Sequence, residues 1–71
     1  MKEIRSNMAG TVLNVMISKG DEVATGQDVI TLESMKMEIP IQSEYSGKVE
    51  EVKVEAGDFV NEGDVLVILS S

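Results

Sequence analysis

An amine can be acylated when its surroundings suit, and Lys36 is the lysine of this chain whose setting suggests it. In Glu33-Ser34-Met35-Lys36-Met37-Glu38 the side-chain ammonium lies between two methionines, with a carboxylate three residues before and another two after. An amine attacks an activated acyl group only when unprotonated, so it needs a base or a desolvated pocket. The chain offers neither: it has no His, the usual general base, and no Cys. A partner enzyme must therefore supply the base, and this chain the substrate amine. Uncharged, flexible Met35 and Met37 are suited to filling an apolar groove on that partner. The plain alternative is an ordinary strand, with Lys36 pointing outward and both methionines inward.

The position of Lys36 in the chain decides which reading to pursue. Slid by 37 positions, residues 6–34 match residues 43–71 at ten of 29 aligned places. The identities are turn glycines and apolar or small residues: Ser6/Ser43, Gly10/Gly47, Val12/Val49, Val15/Val52, Gly20/Gly57, Asp21/Asp58, Val23/Val60, Gly26/Gly63, Leu32/Leu69 and Ser34/Ser71. Met35-Lys36-Met37 falls in the joint, residues 35–42, which has no counterpart in this alignment. A duplicated fold that singles out one lysine at its joint reads as a scaffold displaying that lysine.

The elements that would hold it are strands. Turn signals recur at short intervals, as in Lys19-Gly20-Asp21, Thr25-Gly26, Ala56-Gly57-Asp58 and Glu62-Gly63-Asp64. Between them Val52-Lys53-Val54-Glu55 alternates as a half-buried strand should. Val12 and Val49 fall out of phase with Val15 and Val52, which predicts a matched pair of bulges. Glycine at Gly20 and Gly57 suits positive φ, and the following aspartates are expected to bond backbone two residues on. The apolar runs 29–32 and 65–69 fit well-buried strands. Two such units, neither able to close a core alone, should clasp about a pseudo-twofold axis. The expected fold is all-β, a flattened barrel of two antiparallel sheets with about four strands each, forming one domain over residues 1–71. Strands 29–33 and 37–42 would pair as a hairpin with Met35-Lys36 at its tip. Because Ser34 and Ser71 are equivalent, the Lys36 turn and the chain termini should lie at opposite ends.

Composition narrows the function classes. At 71 residues the chain buries only about 60% of its unfolded surface, and it has no disulfide to help. The net charge of −7, with six scattered basic residues, argues against nucleic acid. No stretch is long and apolar enough for a signal or membrane span, so the expectation is a cytoplasmic protein without a membrane partner. The pseudo-twofold already closes the core, which makes a monomer the default. Without His, Cys or a glycine-rich phosphate loop, an enzyme in its own right is not expected.

Glu33-Ser34-Met35-Lys36-Met37-Glu38, flanked by Gly20-Asp21-Glu22-Val23 and Gly57-Asp58-Phe59-Val60, resembles the biotinyl/lipoyl attachment domain over about residues 3–70. The resemblance implies a barrel-sandwich hybrid with Lys36 at a β-turn, amide-linked to a carboxylate-bearing cofactor. Within that family Met-Lys-Met marks biotin acceptors and Asp-Lys-Ala marks lipoyl acceptors, so biotin is favoured. Glu-Ser before the motif also occurs in lipoyl domains, which keeps lipoate and a lipoyl-attaching enzyme as the alternative. Glu33, Ser34, Met35 and Met37 would then be the residues read by a biotin protein ligase. The same resemblance implies a carrier passing carboxyl groups between a biotin carboxylase and a carboxyltransferase that acts on an acyl-CoA. An unmodified interaction module on the same fold is the reading from another class.

Overall fold

Eight strands are shared between two sheets in this computed structural model, which describes residues 1–70. They are β1 (Lys2–Arg5), β2 (Gly10–Val15), β3 (Glu22–Val23), β4 (Asp28–Ser34), β5 (Met37–Gln42), β6 (Gly47–Val52), β7 (Phe59–Val60) and β8 (Val65–Ser70). One antiparallel sheet has the order β1-β8-β6-β3 and the other β5-β4-β2-β7. This is the expected pair of four-stranded sheets. Among the described residues, no helix is long and apolar enough to cross a membrane.

The repeat runs further than the sequence alignment showed. Adding 37 carries β2 onto β6, β3 onto β7 and β4 onto β8. It also carries β1 onto residues 39–42 of β5: Lys2 pairs with Leu69 as Ile39 pairs with Leu32, and Ile4 with Val67 as Ile41 with Ile30. Half of the segment read as having no counterpart, residues 39–42, therefore has one in β1; what lacks a partner is the turn and its immediate flank. The equivalence of Ser34 with Ser71, and with it the chain end expected opposite the turn, falls on a residue outside the described ones.

The core is assembled from equivalent pairs across the two sheets. Ile4 and Ile41, Val12 and Val49, Val23 and Val60, Val29 and Leu66, Ile30 and Val67, and Leu32 and Leu69 are all buried in one cluster. Each such side chain contributes about 1.5–3 kcal/mol on burial. The predicted bulges are present as shifts of register between Val12 and Asn14 and between Val49 and Glu51. They let Val12 and Val15, and likewise Val49 and Val52, both face inward despite a spacing that strict alternation forbids.

The halves hold each other through backbone at their turns. Gly20 N–H donates to Val49 O at 2.9 Å and Val49 N–H to Asp21 O at 2.8 Å; Gly57 N–H and Val12 O, and Val12 N–H and Asp58 O, repeat the arrangement at 2.8 Å each. Gly20 and Gly57, with φ of 95° and 99°, sit at the third position of type II turns, where an L-residue would be strained. The aspartates act in the opposite direction from that expected. Asp21 Oδ2 accepts from Ser18 N–H at 2.8 Å and Asp58 Oδ2 from Glu55 N–H at 2.9 Å, three residues back rather than two on. The turn folds the chain back over the carboxylate, so the free N–H within reach is the one at the turn's start.

A second correction concerns Val52-Lys53-Val54-Glu55. Their burial does alternate, but β6 ends at Val52. Lys53 N–H still donates to Leu66 O at 2.8 Å, after which the chain leaves the sheet with Val54 packed against the core. An inward valine on a departing loop gives the same two-residue pattern as a strand.

Candidate functional site

The β4–β5 hairpin is built so that its last rung closes on two residues. Leu32 faces Ile39, Glu33 faces Glu38 and Ser34 faces Met37, leaving Met35-Lys36 as the whole of the loop. Buried Ile30, Leu32 and Ile41 anchor its base in the core. Pro40 lies mid-strand in β5, an outer strand of its sheet, where a missing N–H costs no ladder bond.

Met35 has φ of 52° and Lys36 of 65°; among the described residues these are the non-glycine residues with positive φ. Both central residues of the loop are thus left-handed, as a type I′ turn demands, and two-residue hairpins favour that turn because it matches strand twist. Asn-Gly or Asp-Gly normally fills such a loop. Here two long side chains do, at about 1–2 kcal/mol of strain each.

The chemistry of the tip follows from exposure. Met35 is 91% and Met37 62% exposed, so the plain alternative with both methionines inward is wrong. Lys36 is exposed, and among the described residues the ion pairs are Arg5–Glu3 and Lys53–Glu51, neither involving it. The hairpin instead sets Glu33 opposite Glu38, both exposed, while Ser34 is half-buried on the closing rung. The rung at Glu33 continues across the sheet to Thr11 and Phe59, the latter 65% exposed. Hollows open elsewhere on the surface, one lined by Ile17, Lys19, Glu50 and Val52 and another by Lys2, Arg5, Gln42 and Tyr45. Lys36 therefore projects from the molecule, a placement suited to entering another protein's cleft.

Gly10 supports this end and was read only as a turn residue. A Cβ placed there would come within 2.9 Å of Glu33 O, so the absence of a side chain lets β2 lie close against β4 just before the loop. Gly47 has the equivalent role against Ser70 O, at 2.6 Å.

Comparison with known proteins agrees with this geometry. The chain is 58% identical over 64 residues to the Biotin/lipoyl attachment protein of Bacillus subtilis (strain 168), covering 90% of this chain and 88% of that protein. It is 44% identical over 66 residues to the human mitochondrial propionyl-CoA carboxylase alpha chain, where it spans 9% of the longer protein. The crystal structure of the Kluyveromyces lactis urea carboxylase superposes with a TM-score of 0.89 at 30% identity, covering 97% of this chain and 6% of that one. The biotin/lipoyl family model, described as "Biotin-requiring enzyme", matches residues 2–69, and the chain belongs to that family.

Proposed function

We propose that this protein is a biotin carrier, acylated on the Lys36 amine by a biotin protein ligase and serving a biotin-dependent carboxylase. One observation carries the reading: the two-residue turn holds Lys36 exposed and free of ion pairs among the described residues, at a cost in backbone strain that Asn-Gly in the same turn would largely avoid. The amine fits the group, since a primary amine and a carboxylate join as an amide. In the ligase the neutral Lys36 Nζ attacks the carbonyl of adenylate-activated biotin. The N–C bond forms, AMP leaves, and the amine proton passes to a ligase base. Lys36 thereby loses its positive charge. Met35 and Met37 supply apolar contact on either side of the amine, and Glu33 and Ser34 present the rungs below it.

Once attached, biotin supplies a ring nitrogen that takes up a carboxyl group at a biotin carboxylase and yields it to an acyl-CoA at a carboxyltransferase. The chain itself positions rather than reacts. Its stiff hairpin keeps the attachment point clear of the body, so that either partner can close around it.

A second cofactor is favoured by one finding, the biotin/lipoyl designation of the 58%-identical relative. Lipoyl transfer to the same amine by a lipoyl-attaching enzyme is therefore the competing reaction. The deciding experiment is the intact mass of protein made in cells supplied with both biotin and lipoate, followed by peptide mapping. One biotinyl group on Lys36 is the expected result. A lipoyl group there would replace the cofactor assignment, and an unmodified mass with both ligases active would replace the carrier reading by an interaction module. Lys36→Arg should show no mass gain, because a guanidinium stays protonated and cannot form the amide.

A further inference from the structure

Two thioethers frame the Lys36 amine, and both stand in solvent. Met35 is 91% and Met37 62% exposed, against 47% for Met16, while Met8 is half-buried and packed on the core. The chain has no cysteine, so methionine is its softest oxidisable group. Met1 and Met16 are exposed as well, but Met35 and Met37 are the two methionines whose change of polarity would meet the modifiable amine.

We propose that Met35 and Met37 form a reversible oxidation site, and that their sulfoxides block acylation of Lys36, so that a hydroperoxide stops loading of the carrier and reduction restores it. The inference rests on the reading that a ligase packs these methionines in an apolar groove. In the oxidation step the sulfur lone pair attacks one peroxide oxygen. The S–O bond forms as the O–O bond breaks, sulfur loses two electrons, and the remaining oxygen leaves as water from hydrogen peroxide or as an alcohol from an organic hydroperoxide. In the reverse step the S–O bond breaks as a dithiol of the methionine sulfoxide reductase class gives up two electrons and two protons, becoming a disulfide, and the oxygen leaves as water.

The geometry gives the switch its leverage. The turn pins Met35 at φ 52° and the final rung pins Met37 opposite Ser34, so neither backbone can swing a modified side chain out of the contact. A sulfoxide is a strong acceptor that an apolar groove leaves unpartnered. The exposed side chains one rung below, Glu33 and Glu38, are acceptors too when ionised. Burying an unpaired polar group of this kind should lower kcat/KM for attachment about tenfold or more.

The test uses the unmodified full chain, hydrogen peroxide as oxidant and a biotin protein ligase with biotin and ATP. Sulfoxide is located by peptide mapping, the fold is followed by circular dichroism, and attachment is timed before peroxide, after it, and after methionine sulfoxide reductase treatment. Met35 and Met37 should oxidise ahead of Met16 and Met8, with the fold retained. Attachment should fall about tenfold or more and then recover on reduction. The double variant Met35→Leu/Met37→Leu, whatever its own rate, should show the same rate before and after peroxide. An unchanged rate with both sulfoxides formed overturns the proposal, as does a loss that reduction fails to reverse or one of equal size in the Leu pair. If the untreated protein is not acylated on Lys36 at all, the carrier reading falls first and this inference with it.

Discussion

Replacing Met35 by Asn and Lys36 by Gly together should make the protein more stable while removing its acceptor. Both residues are held in the left-handed region, at φ 52° and 65°. At about 1–2 kcal/mol for each L-residue so placed, the turn stores roughly 2–4 kcal/mol. Glycine removes that strain at its position but gives back about 0.5–1 kcal/mol through the freedom of the unfolded chain. Asparagine tolerates the left-handed region at reduced cost. Little packing is lost in exchange. A fully buried methionine contributes about 1.5–3 kcal/mol, and Met35 is 91% exposed, so truncation forfeits a few tenths at most. The net expectation is a gain of about 1–2 kcal/mol. For a domain of this size that corresponds to roughly 5–15 °C in Tm. Urea unfolding followed by far-UV circular dichroism, with matched thermal melts, measures it directly. An unchanged or lowered midpoint would refute the argument, because it would mean the side chains at the tip repay the backbone through contacts that exposure does not reveal. The single variant Met35→Asn keeps the amine and should gain part of the stability while losing ligase contact, which separates the two properties.

Other perturbations test other parts of the structure. Gly10→Ala and Gly47→Ala should each cost about 1–3 kcal/mol in denaturant unfolding, since the added Cβ meets backbone oxygen at 2.9 Å and 2.6 Å. Gly47→Ala should be the worse for stability and Gly10→Ala the worse for attachment at equal folded fraction, because only Gly10 borders the hairpin that ends in Lys36. Glu33→Lys removes a like-charge pair with Glu38 and creates an opposite-charge one; it should stabilise the protein by about 0.2–1 kcal/mol at low salt, fade as ionic strength rises, and slow attachment. A stability gain that ignores salt would show that repulsion across this rung is not the cause.

How far the sequence could be read depended on whether a feature left a mark on residue type. The matched bulges were legible because Val12 and Val49 break phase in the same way in both halves. The hairpin was legible because strand-like residues 29–33 and 37–42 flank Met35-Lys36 at the start of the joint. The pairing of β1 with the repeat was not, since Lys2-Glu3-Ile4-Arg5 shares only Ile4 with Ile39-Pro40-Ile41-Gln42; an edge strand needs one inward anchor, and its remaining residues are unconstrained. β3 and β7 are two residues long and carry no period of their own. At the site, residue types placed Lys36 in a turn but could not give its handedness, because the left-handed pair is imposed by strand twist on residues that would not choose it.

The mutual bonding of Gly20 and Asp21 with Val49, and of Gly57 and Asp58 with Val12, has a consequence for the nascent chain. Lys36 is added to the chain before β6, β7 and β8, on which its hairpin rests. At that moment Leu32 lacks Leu69, Val12 lacks Asp58, and the hairpin has no core to stand on; an isolated pair of strands is at best marginal in water. Contacts so distant in sequence form late and together. The lysine thus takes its final shape only when β8 has arrived, and a truncated or half-translated chain, though it contains the whole Met-Lys-Met motif, does not offer the folded turn.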